Sequence, residues 1–227
     1  MAHADQIFQL GEQLPAAVRD AATGQGLRLA VGISDGLPKL VVHHLLQPAL
    51  DPGVRLLCHE DEFDRLLGDL ALHRLDVVLS DRAAPPNPNL RLYSHALGEA
   101  SLSWFAPVAL ADACKEKFPA SLGTLPILLP TAHAAVRPRL DQWFERQGLR
   151  PQVAGEFEDS ALLAAFGRAG MGAFPASHWS HDELLADPRV RLLGDCPDLV
   201  EHFFLISAER RIQHPLVQRL LPAGQVR

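Results

Sequence analysis

LRLAVGISDGLPKLVVHHLLQPALDPGVRLLCHEDEFDRLLGDLALHRLDVVLSD, residues 27–81, changes its hydrophobic period four times. LRLAVGI, VRLLCHE and LDVVLSD are short apolar runs of the kind that strands buried on both faces show. LPKLVVHHLLQPAL and EFDRLLGDLALHR instead space their apolar residues by three and four, the period of a helix with one buried stripe. The order is βαβαβ, which requires parallel strands, right-handed crossovers and helices on both sheet faces. AAPPNPN ends the run, because Pro85, Pro86 and Pro88 suit neither a helix interior nor a central strand.

The alternation resumes near Ser101. SLSWFAP, PILLP, PQVAGEF, MGAFP and VRLLGD read as strands. ALADACKEKF, AVRPRLDQWFERQG, DSALLAAFGRAG and His181 to Ala186 read as helices, with Pro138 in a first turn. Two α/β units follow, about 27–98 and 99–198, and LVEHFFLISAE and HPLVQRLL remain. These last elements either extend the second unit or return to the first, and the pattern allows both.

Composition bounds the function. With 48% hydrophobic and 21% charged residues in 227, the chain is long enough for two cores and too apolar to be disordered. A net charge of −6 argues against a broad nucleic-acid surface. Three separated cysteines, Cys58, Cys114 and Cys196, form no CxxC pair and point to a reducing compartment. Neither a signal peptide nor a membrane-spanning run is present in the sequence, so a cytoplasmic protein with no membrane partner is expected. Ile7, Leu10, Leu14 and Val18 form a narrow helical stripe, suited to pairing with another chain.

In an open parallel sheet, ligands settle beyond the carboxyl ends of the strands. Those positions are Ser34, Asp35 and Gly36; His59, Glu60 and Asp61; Ser80 and Asp81; Ser103 and Trp104; Thr131; Glu158, Asp159 and Ser160; and Phe174 to Ala176. Ser34, Asp61, Thr131 and Asp159 also read as helix N-caps, which alone explains such residues in most cases. The carboxylates suit a hard cation, while solvated first-turn residues that complement the helix dipole are the plainer explanation for each one singly. His178 and His181 lie three apart and lack the further ligands a metal site needs, so they read as surface or cap histidines. No GxSxG, HExxH or GxGxxG accompanies these loops, and no enzyme, cofactor or catalytic residue is expected. Gly170 and Gly172 read as a tight turn after a helix made thin for close packing.

GISDGLPKLVVHHLLQPAL, LALHRLDVVLSD, FPASL, QWFERQGLRPQVAGEFEDSALLAAFGRAGMGAFP and ISAERRIQHPLV, in this order, resemble the effector-binding region of LysR-type transcriptional regulators. Within the family they are most similar to the branch that regulates sodium/proton antiporter genes. The resemblance implies two Rossmann-like lobes of the type 2 periplasmic-binding-protein plan, joined by two crossover hinge segments near Ala96 to Ala100 and Cys196 to Leu199. Residues 25–97 and 199–227 would form the first lobe, 98–198 the second and 1–24 the end of a linker and dimerisation helix. The family's winged helix-turn-helix has no counterpart in the sequence, so a transcriptional activator of this kind would meet DNA through that missing N-terminal domain. The resemblance further implies a homodimer or homotetramer. Its effector, a sodium ion or alternatively a small organic anion, would lie between the lobes against Ser34, Asp35, Gly36, Asp61, Ser80, Ser103, Trp104, Thr131, Glu158, Asp159 and Phe174. A solute-binding protein of the same fold is the alternative from another class.

Overall fold

The computed structural model describes residues 27–114 and 116–222, and the stripe of Ile7, Leu10, Leu14 and Val18 lies outside them. Strand β1 (Arg28–Ser34) is central and buried along six of its seven residues. It pairs in parallel with β2 (Arg55–Asp61) on one side and β3 (Val77–Ser80) on the other. The crossovers β1→β2 and β2→β3 run in opposite directions across the sheet. Right-handed connections therefore place their helices on opposite faces. Helix α1 (Lys39–Leu46) buries Val41, Val42, Leu45 and Leu46 in one cluster. Helix α2 (Phe63–Ala71) buries Leu66, Leu67 and Leu70 in another.

Beyond β3 the chain departs from a purely parallel plan. Strand β4 (Tyr93–Pro107) has 15 residues and β8 (Val190–Ser207) has 18, and they pair antiparallel along nearly their whole length. The expected short strands SLSWFAP, VRLLGD and LVEHFFLIS are thus parts of two long ones. The ladder slips at Leu97 and again where Ser101 faces Val200 but Leu102 faces Cys196. Pro197, without an amide hydrogen, falls in the second slip, where a regular ladder could not continue. The first slip falls in Ala96 to Ala100 and the second skips β8 residues of Cys196 to Leu199, while a third, between Trp104 and Phe105, lies outside both expected crossover segments.

The shared strands make one hydrogen-bonded sheet of order β2-β1-β3-β8-β4-β7, with β7 (Phe174–Ser177) at its end. Strands β5 (Pro126–Pro130) and β6 (Gln152–Phe157) form a parallel pair that joins β7's approach through an Ile127–Ala173 bridge. Hydrogen bonds do not break between the halves, but the cores do. Leu29, Val31, Phe203 and Leu216 pack in one half, whereas Trp104, Ile127, Leu140 and Phe144 pack in the other. The result is a two-lobed, type 2 periplasmic-binding-protein-like fold with two hinge strands.

In the second half, α3 (Val108–Ala113) is shorter than ALADACKEKF predicts. Helix α4 (Arg137–Arg146) carries Pro138 in its first turn, and α5 (Ser160–Arg168) follows β6. Helix α6 (His181–Ala186) precedes β8, and α7 (Pro215–Leu220) packs Leu216, Val217 and Leu220 into the β1 core. Among the described residues no helix is long and apolar enough to cross a membrane.

Candidate functional site

A cavity of about 280 Å³ opens where β1, β5, β6 and β7 end. Gly36, Lys39 and Leu40 bound it from the β1–α1 turn, and Pro130, Ala134 and Val136 from the β5–α4 turn. Opposite stand Glu158, Ser160 and Arg168 of the β6–α5 turn and α5. Ser177, Ser180 and Glu183 close it from β7 to α6, and Leu102 of β4 and Glu201 of β8 line it from the hinge strands.

Glu201 is the residue that the linear pattern did not single out. Burial pushes its carboxyl up to about 7, the Ser177 hydroxyl pulls it back, Asp81 adds to the rise and Arg139 offsets it. Its Oε2 and Ser177 Oγ are both buried without a hydrogen-bond partner. Such groups cost about 1–3 kcal/mol each unless a ligand or water satisfies them. The signal was present in the strand's period of two, which puts Glu201 in phase with the buried Leu199, Phe203 and Leu205.

Two cations reach the same cavity with their charge already engaged. Lys39 bonds Glu60 and lies 3.0 Å from Asp159, so it ties the β1–α1 and β2 ends to α5 across the gap. Burial alone would lower its pKa, but the Glu60 and Asp159 carboxylates raise it above the ordinary value. Arg168 sits 3.0 Å from Glu183 and 3.2 Å from Asp187. Further ties cross the gap at its rim. Asp81 Oδ2 accepts from the Ala135 amide at 2.9 Å, Arg82 donates to the His133 carbonyl at 2.5 Å, and Arg139 donates to the Val200 carbonyl.

Of the sequence-predicted positions, Gly36, Glu158, Ser160, Pro175 and Ala176 line the cavity directly. Asp159 stands one residue behind, capping α5 by accepting from the Leu162 amide at 2.6 Å. Burial would raise its pKa, yet that amide and Lys39 hold it below the ordinary carboxylate value. Ser34 is fully buried and reaches Asp35, which in turn accepts from the Gly36 amide at 2.9 Å and shapes the turn. Ser80 Oγ accepts from the Arg82 amide, and Asp61 accepts from Glu62. Thr131 Oγ1 is buried without a partner. Trp104 and Phe174 are fully buried in the second half's cores, and Ser103 donates to Asp195 at 2.6 Å.

The capping expectation holds for Asp159 alone. Helices α1, α2 and α4 begin after Pro38, Glu62 and Val136, so Ser34, Asp61 and Thr131 fall too early to cap them. The small-residue helix α5 is thin for the expected reason, because a Cβ on Gly167 would overlap the Phe174 ring.

The comparisons agree with this geometry. The sequence matches the LysR substrate binding domain over residues 22–223. It is 33% identical over 220 residues to the transcriptional activator protein NhaR of Escherichia coli (strain K12), covering 96% of this chain and 72% of that protein. Among solved structures, full-length CbnR complexed with its target DNA superposes with a TM-score of 0.71 at 18% identity, over 96% of this chain and 76% of that one. The effector binding domain of QuiR in complex with shikimate gives 0.62 at 14% identity, over 86% and 93%. At these identities the structures attest the fold, while the sequence match attests the family. The chain belongs to the LysR substrate-binding domain family.

Proposed function

We propose that this chain is the effector-sensing and self-associating region of an NhaR-like DNA-binding transcriptional activator, and that its effector is a small cation, sodium foremost, held between the lobes. The observation that carries the reading is Glu201, a carboxyl with a buried, unpartnered oxygen on the cavity wall. Below about pH 7 it is protonated and needs no counter-ion; above that it is a buried anion, which a cation would compensate. Glu158 and Glu183 line other sides of the same cavity, and Lys39 and Arg168 are already paired with carboxylates. Carboxylate oxygens are the donors that a hard ion prefers. One group thus accounts for a response to both sodium and alkaline pH.

Residues 25–97 and 199–227 are assigned to one lobe and 98–198 to the other. Ligand between them shifts the balance of open and closed arrangements. Within the predicted contact set, Gly36 and Glu158 are assigned direct contact and the others support the turns that carry them. DNA contact is assigned to a winged helix-turn-helix rather than to these residues. For self-association, the exposed Val153, Leu162, Phe166 and Met171 give the second lobe an apolar face for the partner's α1, which presents Leu40.

A second reading has its own support. A cavity of about 280 Å³ holds a small organic acid more fully than a bare ion, and Lys39 and Arg168 border it. Calorimetric titration at pH 8.5, with choline balancing ionic strength, separates the two readings. A sodium-specific heat that vanishes in Glu201→Gln supports the cation. Tight binding of an aromatic or hydroxy acid with no sodium-specific heat overturns it.

A further inference from the structure

His178, His181 and Asp195 offer ligand atoms that all lie within 4.8 Å of one another. The histidines bracket a single 3-10 turn, His178–Ser180, with ring centroids 5.0 Å apart. Sequence spacing supplied those two and no more. The third comes from β8, whose Asp195 Oδ1 stands 3.8 Å from His181 Nε2. Sheet pairing, invisible in the linear pattern, is what brings it there, because Asp195 faces Ser103 on β4 and Ser103 faces Ala176 on β7.

The surroundings hold these ligands in place. Ser103, itself fully buried, donates to Asp195 Oδ1 at 2.6 Å. The Phe105 ring packs edge-on against the His181 imidazole at 5.7 Å and 63°. His181 Nε2 is buried without a hydrogen-bond partner, a state that a neutral imidazole nitrogen leaves when it binds a metal. Ligands about 2.0–2.2 Å from a tetrahedral ion stand about 3.4 Å apart, so modest side-chain rotations close the present spacing. His178 and Asp195 are exposed, which leaves a path for entry and a position for water.

We propose that His178, His181 and Asp195 bind a divalent cation of the zinc class, with solvent completing a four-coordinate site. Two imidazoles and one carboxylate select such an ion over sodium or magnesium, which prefer oxygen. The site is separate from the cavity and independent of which effector the cavity takes. It ties the start of α6 to β8 one residue before the Cys196–Val200 slip in the hinge ladder. Between the two histidines, Trp179 packs at a tilt against Phe203 at 4.9 Å and His44 at 4.8 Å, both from the opposite lobe. A bound ion therefore stiffens the hinge on one side.

Zinc titrated calorimetrically into chelator-treated protein at pH 7.5 tests the site, with the cobalt(II) visible spectrum as a second readout. The wild type should bind one equivalent saturably and give tetrahedral cobalt bands. His181→Ala and Asp195→Asn should abolish both signals, and Ser103→Ala should weaken affinity about 10–100-fold by freeing the carboxylate to turn away. His202→Ala, a histidine 3.5 Å from Glu99 on the surface, should change neither. Far-UV circular dichroism in chelator monitors folding of each variant. Absence of tetrahedral cobalt bands in the wild type, or binding that persists in folded His181→Ala and Asp195→Asn, would overturn the proposal.

Discussion

Replacing Glu201 with glutamine keeps the side chain's shape and removes its titration. Its folded pKa, about 7, lies above its ordinary value of 4.5, so the folded state binds more protons between those values. Stability must then fall as pH rises from about 4.5 to 7 and level off beyond, by on the order of 3 kcal/mol for this group alone. Urea unfolding of wild type and Glu201→Gln should therefore diverge over that window, the variant gaining relative stability towards pH 8. Parallel curves would show that the carboxyl is ordinary. Gly167 gives a steric counterpart. Alanine there would press its methyl into the Phe174 ring, and stability in a urea titration should drop by about 1–3 kcal/mol.

At the scale of elements, α5 is defined by its two ends. Asp159 caps the first turn through Leu162 and pairs with Lys39, so Asp159→Ala removes both interactions and should cost about 1 kcal/mol through the cap alone. At the other end Gly170 has φ 104°. Its amide donates to Gly167 and that of Met171 to Phe166, the paired bonds of a Schellman ending. Gly170→Ala should cost about 1 kcal/mol in a thermal or urea scan, since alanine resists that φ. Both ends were legible in EDSALLAAFGRAG, because capping and left-handed glycine are local chemistry. The lengths of β4 and β8 were not. Pro197 and the slip at Leu97 break the period of two, so one strand reads as two. The helix starts were read too early at α1, where Pro38 stands just before the first turn, and at α4, which begins at Arg137 with Pro138 in its first turn.

Across the whole molecule, the alternation of strands and helices was enough to mark the β1–α1 and β6–α5 turns as carboxyl ends of parallel strands, and it was the family resemblance that put them on a shared gap. What it could not supply was the floor and the ties. Glu201, Asp195 and Arg139 reach their partners only through strand pairing and lobe contact between distant segments. The Asp81–Ala135 and Arg82–His133 ties predict a rim that holds the lobes together. Asp81→Ala should raise hydrogen exchange at the Ala135 amide several-fold and, by removing a neighbouring negative charge, lower the pH at which Glu201 titrates.

The titration of the Glu201 side-chain carboxyl carbon by NMR, identified by its absence in Glu201→Gln, tests the central claim most directly. In choline chloride the midpoint should lie near pH 7, and in sodium chloride of equal ionic strength it should move lower as the ion compensates the buried charge. A midpoint in the usual carboxylate range, or one that sodium leaves unmoved, would contradict the account.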